Sequence, residues 1–240
     1  MAHNVGQPEC LAISGQPSRR EPARIHGRDL PAQRAEGPER SIGLGTPPRI
    51  IRTQAQDALT AIARLRYEVY VREHGRLVDV ADHGREELRD ADDITATHFA
   101  LLDERGHAMA AIRVHVGHLS PAIASPLRLR ESFPSLDEAR ICVASKFIVA
   151  PRLRRGTAAV RMLVACYQHA SDRNIDALFC TTFPQLLELY ARVGLRPYLP
   201  EYIDPHLGPH YALMGFLNGA PSVMTRLVAR GRREGWTTTR

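Results

Sequence analysis

The segment VAPRLRRGTAAVRMLV, residues 149–164, sets three arginines, a glycine and a threonine between a strand-like apolar run and a helical one. A helix N-terminus presents unpaired N–H groups and the positive end of its dipole, so strand, glycine turn and helix in that order make an anion cradle. Gly156 lets the backbone approach a phosphate closely, and Arg152, Arg154 and Arg155 offer charge-assisted contacts to it. Three occupants stay open on these residues alone. They are the diphosphate of coenzyme A, the single phosphate of a carrier-protein pantetheine, or none, the arginines being solvated.

Downstream, LLELYARVGLRPY sets Leu186, Leu189, Tyr190 and Val193 on one helical face that ends at Gly194. On its residues alone this tyrosine reads as a core aromatic with its hydroxyl at the surface. In the first half, Arg66 and Arg113 are matched by Asp90 and Asp93. The arginines either pair with these acids across an interface or hold the carboxylate of a small acceptor, which a guanidinium does bidentately. The aspartates are otherwise a solvated acidic loop beside Glu86 and Glu87. His98, His115, His206 and His210 show no metal-ligand spacing with Cys or Asp, and no metal site is expected.

The elements that must position these groups follow from periodicity. Residues 53–74 read as a helix closed by Gly75, and 76–95 as a polar loop. Residues 97–103 and 108–116 form a hairpin around ERGH. Then 141–149 is a strand, 157–170 a helix with Ala159, Met162, Leu163, Cys166 and Ala170 inward, and 176–182 a strand. A short helix over 184–193 and strands over 196–199 and 210–217 complete an α/β (α+β) fold, a mixed central sheet of about six to seven strands flanked by helices.

The order Arg-Gly turn, helix, strand, then Tyr-containing helix resembles the GNAT superfamily of acyltransferases over residues 52–217, most specifically over 146–198. The resemblance implies that the strand carrying Phe147 and Val149 pairs with pantetheine amides. It implies that backbone N–H groups of Arg154, Arg155, Gly156, Thr157 and Ala158 hold the phosphate, and that Tyr190 protonates the departing thiolate. The family pattern is Gln/Arg-x-x-Gly-x-Gly/Ala; here LRRGTA keeps Gly156 and Ala158 but has Leu153 at its head. The first half is similar to acyl-homoserine-lactone synthases and N-acyl amino acid synthases. Arg66, Val69 and Tyr70 match a helix that closes over the acceptor; Asp90 and Asp93 match an Asp-x-Tyr-Asp loop; and Arg113 matches a hairpin arginine. Ser145 and Phe147 match a Glu-x-Ser-Arg-Phe strand in which Lys146 replaces Arg and Val143 replaces Glu. With that glutamate gone, the base that an attacking amine needs falls to Asp90, Asp93, Glu138 or water.

Composition sets the outer bounds. A hydrophobic content of 44% and a charged content of 24% are those of a soluble globular protein. No apolar run approaches a membrane span, and residues near the N-terminus show no secretory h-region, so a cytoplasmic protein without integral membrane association is expected. Cys10, Cys142, Cys166 and Cys180 lie far apart and read as reduced thiols. The net charge of +6 sits at the ends: seven Arg against five acidic residues over 1–49, and five Arg against one Glu over 220–240. Residues 1–48, rich in Pro, Gly, Arg and Glu, are expected to be disordered. Residues 49–219 are expected to form the GNAT-like domain, and 220–240 a basic tail, either solvated or a short amphipathic surface helix. Lys146 is the only lysine.

The expected activity is transfer of an acyl chain from a pantetheine thioester to the amine of an amino acid or similar acceptor. The donor is acyl-carrier protein or acyl-CoA, with no permanently bound cofactor and no nucleic-acid partner. An exposed arginine cluster suits an acidic carrier protein. The alternatives are an acetyl-CoA-dependent N-acetyltransferase of a small amine or protein terminus, and an inactive module that binds an acyl ligand or carrier protein.

Overall fold

The computed structural model describes residues 49–117, 119–217, 222–234 and 236; the disorder expected for 1–48 lies outside them, as does Cys10. The chain runs β1 (Arg49–Thr53), α1 (Gln56–Arg66), a π-helical turn (Tyr67–Glu73), β2 (Thr97–Leu102), β3 (Ala108–Val116) and two short helices, α2 (Pro121–Ala124) and α3 (Leu129–Ser132). It continues through β4 (Ile141–Val149), α4 (Ala158–Ser171), β5 (Ala177–Thr182), α5 (Leu187–Arg192), β6 (Arg196–Pro197), β7 (Tyr202–Asp204), β8 (Gly208–Phe216) and α6 (Ser222–Arg233).

Eight strands form the sheet in the order β1-β2-β3-β4-β5-β8-β6, with β7 on β8. The expected mixed sheet is present, with two strands more than the periodicity revealed at its ends. β1 is only five residues long with arginines at both flanks, and β7 has three residues, too short for an alternation to register. Neighbours pair antiparallel except β4 and β5, which are parallel and joined through α4. Met162, Cys166 and Ala170 of α4 are buried against the sheet as expected. Val164 is buried too, because α6 covers a second side of α4 with Met224, Gly231 and Trp236. Over 222–233 the basic tail is therefore a packed helix and not a solvated end. Each such fully buried aliphatic or sulfur-bearing side chain contributes roughly 1.5–3 kcal/mol.

Two irregularities shape the site. β4 and β5 pair only over Ile141–Ala144 and Ala177–Cys180, so residues 145–149 of β4 leave β5. Opposite β3 the register shifts between Ala111 and Arg113, and Lys146 takes a left-handed φ of 51°. A regular strand points successive side chains to opposite faces. Here the kink turns Ser145, Lys146 and Phe147 all onto one cavity. A left-handed residue with a Cβ costs about 1–2 kcal/mol, which the packing around the kink must offset.

Candidate active site

The cavity, about 400 Å³, opens where β4 parts from β5. Its body is apolar: Ile123 and Leu127 on one sheet face, Leu163 and Cys166 on the other, and Leu217 with Met224 beyond. Its polar end holds Tyr70, Asp90, Asp92, Arg113, Ser145 and Lys146.

Behind that end lies an ion network. Asp90 and Asp93 form a reciprocal capping box at a single helical turn, which fixes both carboxylates in the loop after the π-helical turn. Arg66, fully buried at the end of α1, donates from Nη1 to both oxygens of Asp93 at 2.8 Å. Arg113, equally buried on β3, reaches Asp93 Oδ1 at 3.1 Å, pairs with Asp90, and donates from Nε to the Ser145 hydroxyl at 3.0 Å. The His98 ring sits beneath, its Nε2 donating to the Asp93 carbonyl at 3.0 Å. Burial by itself would raise the Asp93 carboxyl. The Arg66 charge and hydrogen bonds, the Asp90 N–H and the Arg113 charge outweigh it and bring the group down to about 2.

The arginines thus pair with the aspartates. Lys146 is the cation left facing the cavity: its Nζ is 3.6 Å from Asp90 Oδ2, beyond a hydrogen bond, and 5.6 Å from the centre of the Tyr70 ring. Burial lowers its pKa and the Asp90 charge works against that. Tyr190 lines the cavity from α5, with the Thr182 hydroxyl hydrogen-bonded to it, and burial pushes its phenol well above 10. It is held protonated. Burial likewise pushes the Cys166 thiol up to about 12, so this wall is apolar and not nucleophilic.

Of the residues singled out from sequence, Tyr70, Asp90, Arg113, Phe147 and Tyr190 meet at the cavity. Arg66 and Asp93 stand behind its wall, and a carboxyl held near 2 is a poor proton acceptor. Glu138 is not brought in: it sits in a surface turn and pairs with Arg130 at 3.1 Å. Val149 pairs with Ala110 of β3. Arg154 forks onto Glu73, at 2.6 Å for Nη2, and its Nε donates to the Val149 carbonyl. It braces the turn against the π-helical segment and is not free for a phosphate. The N–H groups of Arg154 and Gly156 are taken by the Pro151 and Leu153 carbonyls. Thr157 and Ala158, at the start of α4, keep N–H groups that no helical carbonyl precedes. Arg152 and Arg155 are exposed. Sequence reasoning missed Lys146 as a site residue, although a lone lysine among 32 Lys and Arg was a signal.

A mixed sheet parted between β4 and β5, a buried tyrosine at the opening and an apolar cavity beyond it define a GNAT-type N-acyltransferase. The family model for N-acyl amino acid synthase FeeM matches residues 61–216, and the chain belongs to that family. The fold is similar to BjaI, a CoA-dependent acyl-homoserine lactone synthase solved with SAM and isopentyl-CoA, at 16% identity and TM-score 0.58 over 78% of this chain and 90% of that one. It is similar to MesI, a second CoA-dependent acyl-homoserine lactone synthase, at 20% identity and TM-score 0.58 over 80% and 97%. A protein of Lactobacillus plantarum described as an N-acetyltransferase matches at 17% identity and TM-score 0.54 over 70% and 97%. No curated protein matches by sequence. Among the described residues, no helix is long and apolar enough to cross a membrane.

Proposed function

We propose that the chain moves an acyl group from a pantetheine thioester, carried by an acyl-carrier protein, to the amine of an amino acid. The observation that carries this reading is the Lys146 ammonium at the polar end of an apolar cavity, 3.6 Å from Asp90 Oδ2 and so beyond hydrogen-bond distance, while the two arginines bond to Asp90 and Asp93. The Lys146 ammonium keeps N–H donors for an incoming anion, and the carboxylate of an amino acid would take them. A simple amine would leave those donors unmet.

The donor is read from the opening of the sheet. The unpaired side of β4 after Ala144 offers backbone N–H and carbonyl groups to the pantetheine amides. The first turn of α4 takes the phosphate, and the exposed Arg152 and Arg155 steer an acidic carrier. The amine nitrogen attacks the thioester carbonyl, the C–N bond forms, the C–S bond breaks, and Tyr190 gives its proton to the thiolate. A protonated phenol beside the leaving group is what this step requires, and burial keeps the Tyr190 phenol in that form.

The test is mass spectrometry of products from the purified protein and pooled amino acids, with long-chain acyl-carrier protein in one vessel and acetyl-CoA plus long acyl-CoA in another. An N-acyl amino acid formed mainly with the carrier supports the proposal. Product formed equally from long acyl-CoA moves the donor to coenzyme A, as the printed names of BjaI and MesI have it for those proteins. Acetylated amines alone overturn the acceptor and the chain class together.

A further inference from the structure

We infer that His210 is the general base of the acyl transfer, accepting through Nε2 the proton that the acceptor ammonium must lose before it attacks. The inference rests on the transfer to an amine argued above and supplies the group that this reading lacks. An ammonium has no lone pair, so a base must touch it. Of the carboxylates, Asp93 is committed to Arg66, Asp90 to Arg113 and the N–H of Asp92, Glu138 to Arg130 at the surface, and Asp204 to the N–H groups of His206 and Leu207. Asp92 lies beside Asp90 at the polar end and is the rival that the Asp92→Asn variant, run beside those of His210, must leave active. Val143 is apolar. His115 is buried with an unpartnered Nε2, but it does not line the cavity, and burial followed by the Arg113 charge lowers it to about 4.

His210 meets the requirement by geometry. It lines the cavity although only 3% of its surface is exposed. Its Nδ1 lies 2.9 Å from the Gly208 carbonyl, which can only accept, so Nδ1 is the donor and Nε2 is the nitrogen whose lone pair the neutral ring would offer. The Phe183 ring, 4.3 Å away between centroids, and the Tyr202 ring at 6.1 Å pack near the imidazole, with Arg76 over Phe183.

The sheet register places it at the same end of β5 as the acid. Val143 pairs with Phe179 and Phe179 with Met214, so all three share a face, and alternation along β8 puts Ala212 and His210 on that face as well. Thr182, which holds Tyr190, pairs with Tyr211, the next residue after His210. Tyr190 packs with Cys142, Ala144 and Cys180 on the opposite face. Base and acid therefore stand on opposite faces at the same end of β5, with the opening of the sheet beside them. The proton balance closes. His210 takes one proton from the ammonium and passes it to solvent; Tyr190 gives one to the thiolate; the second nitrogen proton leaves the tetrahedral intermediate and restores the phenol through solvent. The products are an amide, a thiol and one free proton.

The test compares two acceptors at neutral pH: the amino acid that serves the wild type, and hydroxylamine, which is already unprotonated there and needs no base. His210→Gln should lower turnover of the amino acid by about 10²-fold or more, and turnover of hydroxylamine, above its uncatalysed background, by less than a tenth of that factor. His210→Ala should regain amino-acid turnover on addition of free imidazole. Equal losses with both acceptors, or no loss with the amino acid, would falsify the inference while leaving the acyl-transfer reading standing. A wild type that acylates hydroxylamine but no amino acid from any donor overturns the proposed function and this inference with it.

Discussion

Arg113 ties two distant pieces of the site together: its Nε holds the Ser145 hydroxyl at 3.0 Å while its Nη1 holds Asp93 at 3.1 Å. One guanidinium thus fixes both the acidic loop and the residue that precedes the left-handed kink at Lys146. The aim of the Lys146 side chain depends on this brace as much as on its own backbone.

Removing the Asp93 charge should show what the brace is worth. Asp93→Asn leaves Arg66, 2% exposed, with an uncompensated charge, and the expected loss is about 3–5 kcal/mol, read by urea unfolding at pH 7. The pH dependence has a fixed sign. Because the folded carboxyl lies near 2 and the usual value is 3.8, the stabilising contribution is complete above 3.8 and is lost as pH falls toward 2. The gap between wild type and variant should therefore narrow across that window. A gap that instead narrows above pH 5 would point to a different group.

Tyr190→Phe should lower the rate of thiol release in a single turnover by about 10²-fold and leave donor affinity nearly unchanged. The phenol is buried against Thr182 and contributes its ring to the core either way. An unchanged rate returns Tyr190 to a packing role.

Lys146→Met should raise the KM for an amino acid by roughly 10- to 100-fold, the worth of a charge-assisted hydrogen bond. The matching amine without its carboxylate should be used no worse than by the wild type. Equal effects on both acceptors would mean that Lys146 shapes the cavity and does not recognise the carboxylate.

The Glu73–Arg154 fork joins residues 81 apart in sequence and lies partly exposed. Glu73→Gln and Arg154→Gln should each cost under about 1 kcal/mol, and the double variant should cost little more than either alone. Arg152→Glu with Arg155→Glu should act otherwise: stability unchanged, a higher KM for the carrier-protein donor, and a flatter salt dependence. Additive stability losses in the first pair would remove the brace assigned to Arg154.

Much of this site was legible because its parts announce themselves locally. Arg66 lies at helical spacing from Ile62, Asp90 and Asp93 make a box within four residues, and strand, Gly156 and helix follow one another. What the sequence hid depends on partners far along the chain. Arg154 looks like a phosphate ligand until Glu73 is seen beside it. Val164 is not among the inward positions of α4 read from periodicity, and it is buried because α6 folds over it. Periodicity carried the first helix through to residue 74, but a π-helical turn begins at Tyr67 and shifts the phase of Val69 and Tyr70. The lone Lys146 was a signal in composition, but its aim into the cavity depends on a backbone kink, and the role of His210 on a carbonyl contact, neither of which leaves a pattern in residue types.

The parting of β4 from β5 after Ala144 leaves an unsatisfied edge in the middle of a sheet and not at its rim. Proteins normally blunt such edges or pair them. On the proposed function, the two amides of a pantetheine arm would complete the ladder, and the donor substrate would act as a piece of missing secondary structure. Donor binding should then stiffen the whole molecule, raising Tm with ligand concentration and slowing amide exchange over residues 145–149. Each turnover, by releasing the thiol, would loosen the sheet again, and the catalytic cycle becomes one of repeated mending and reopening.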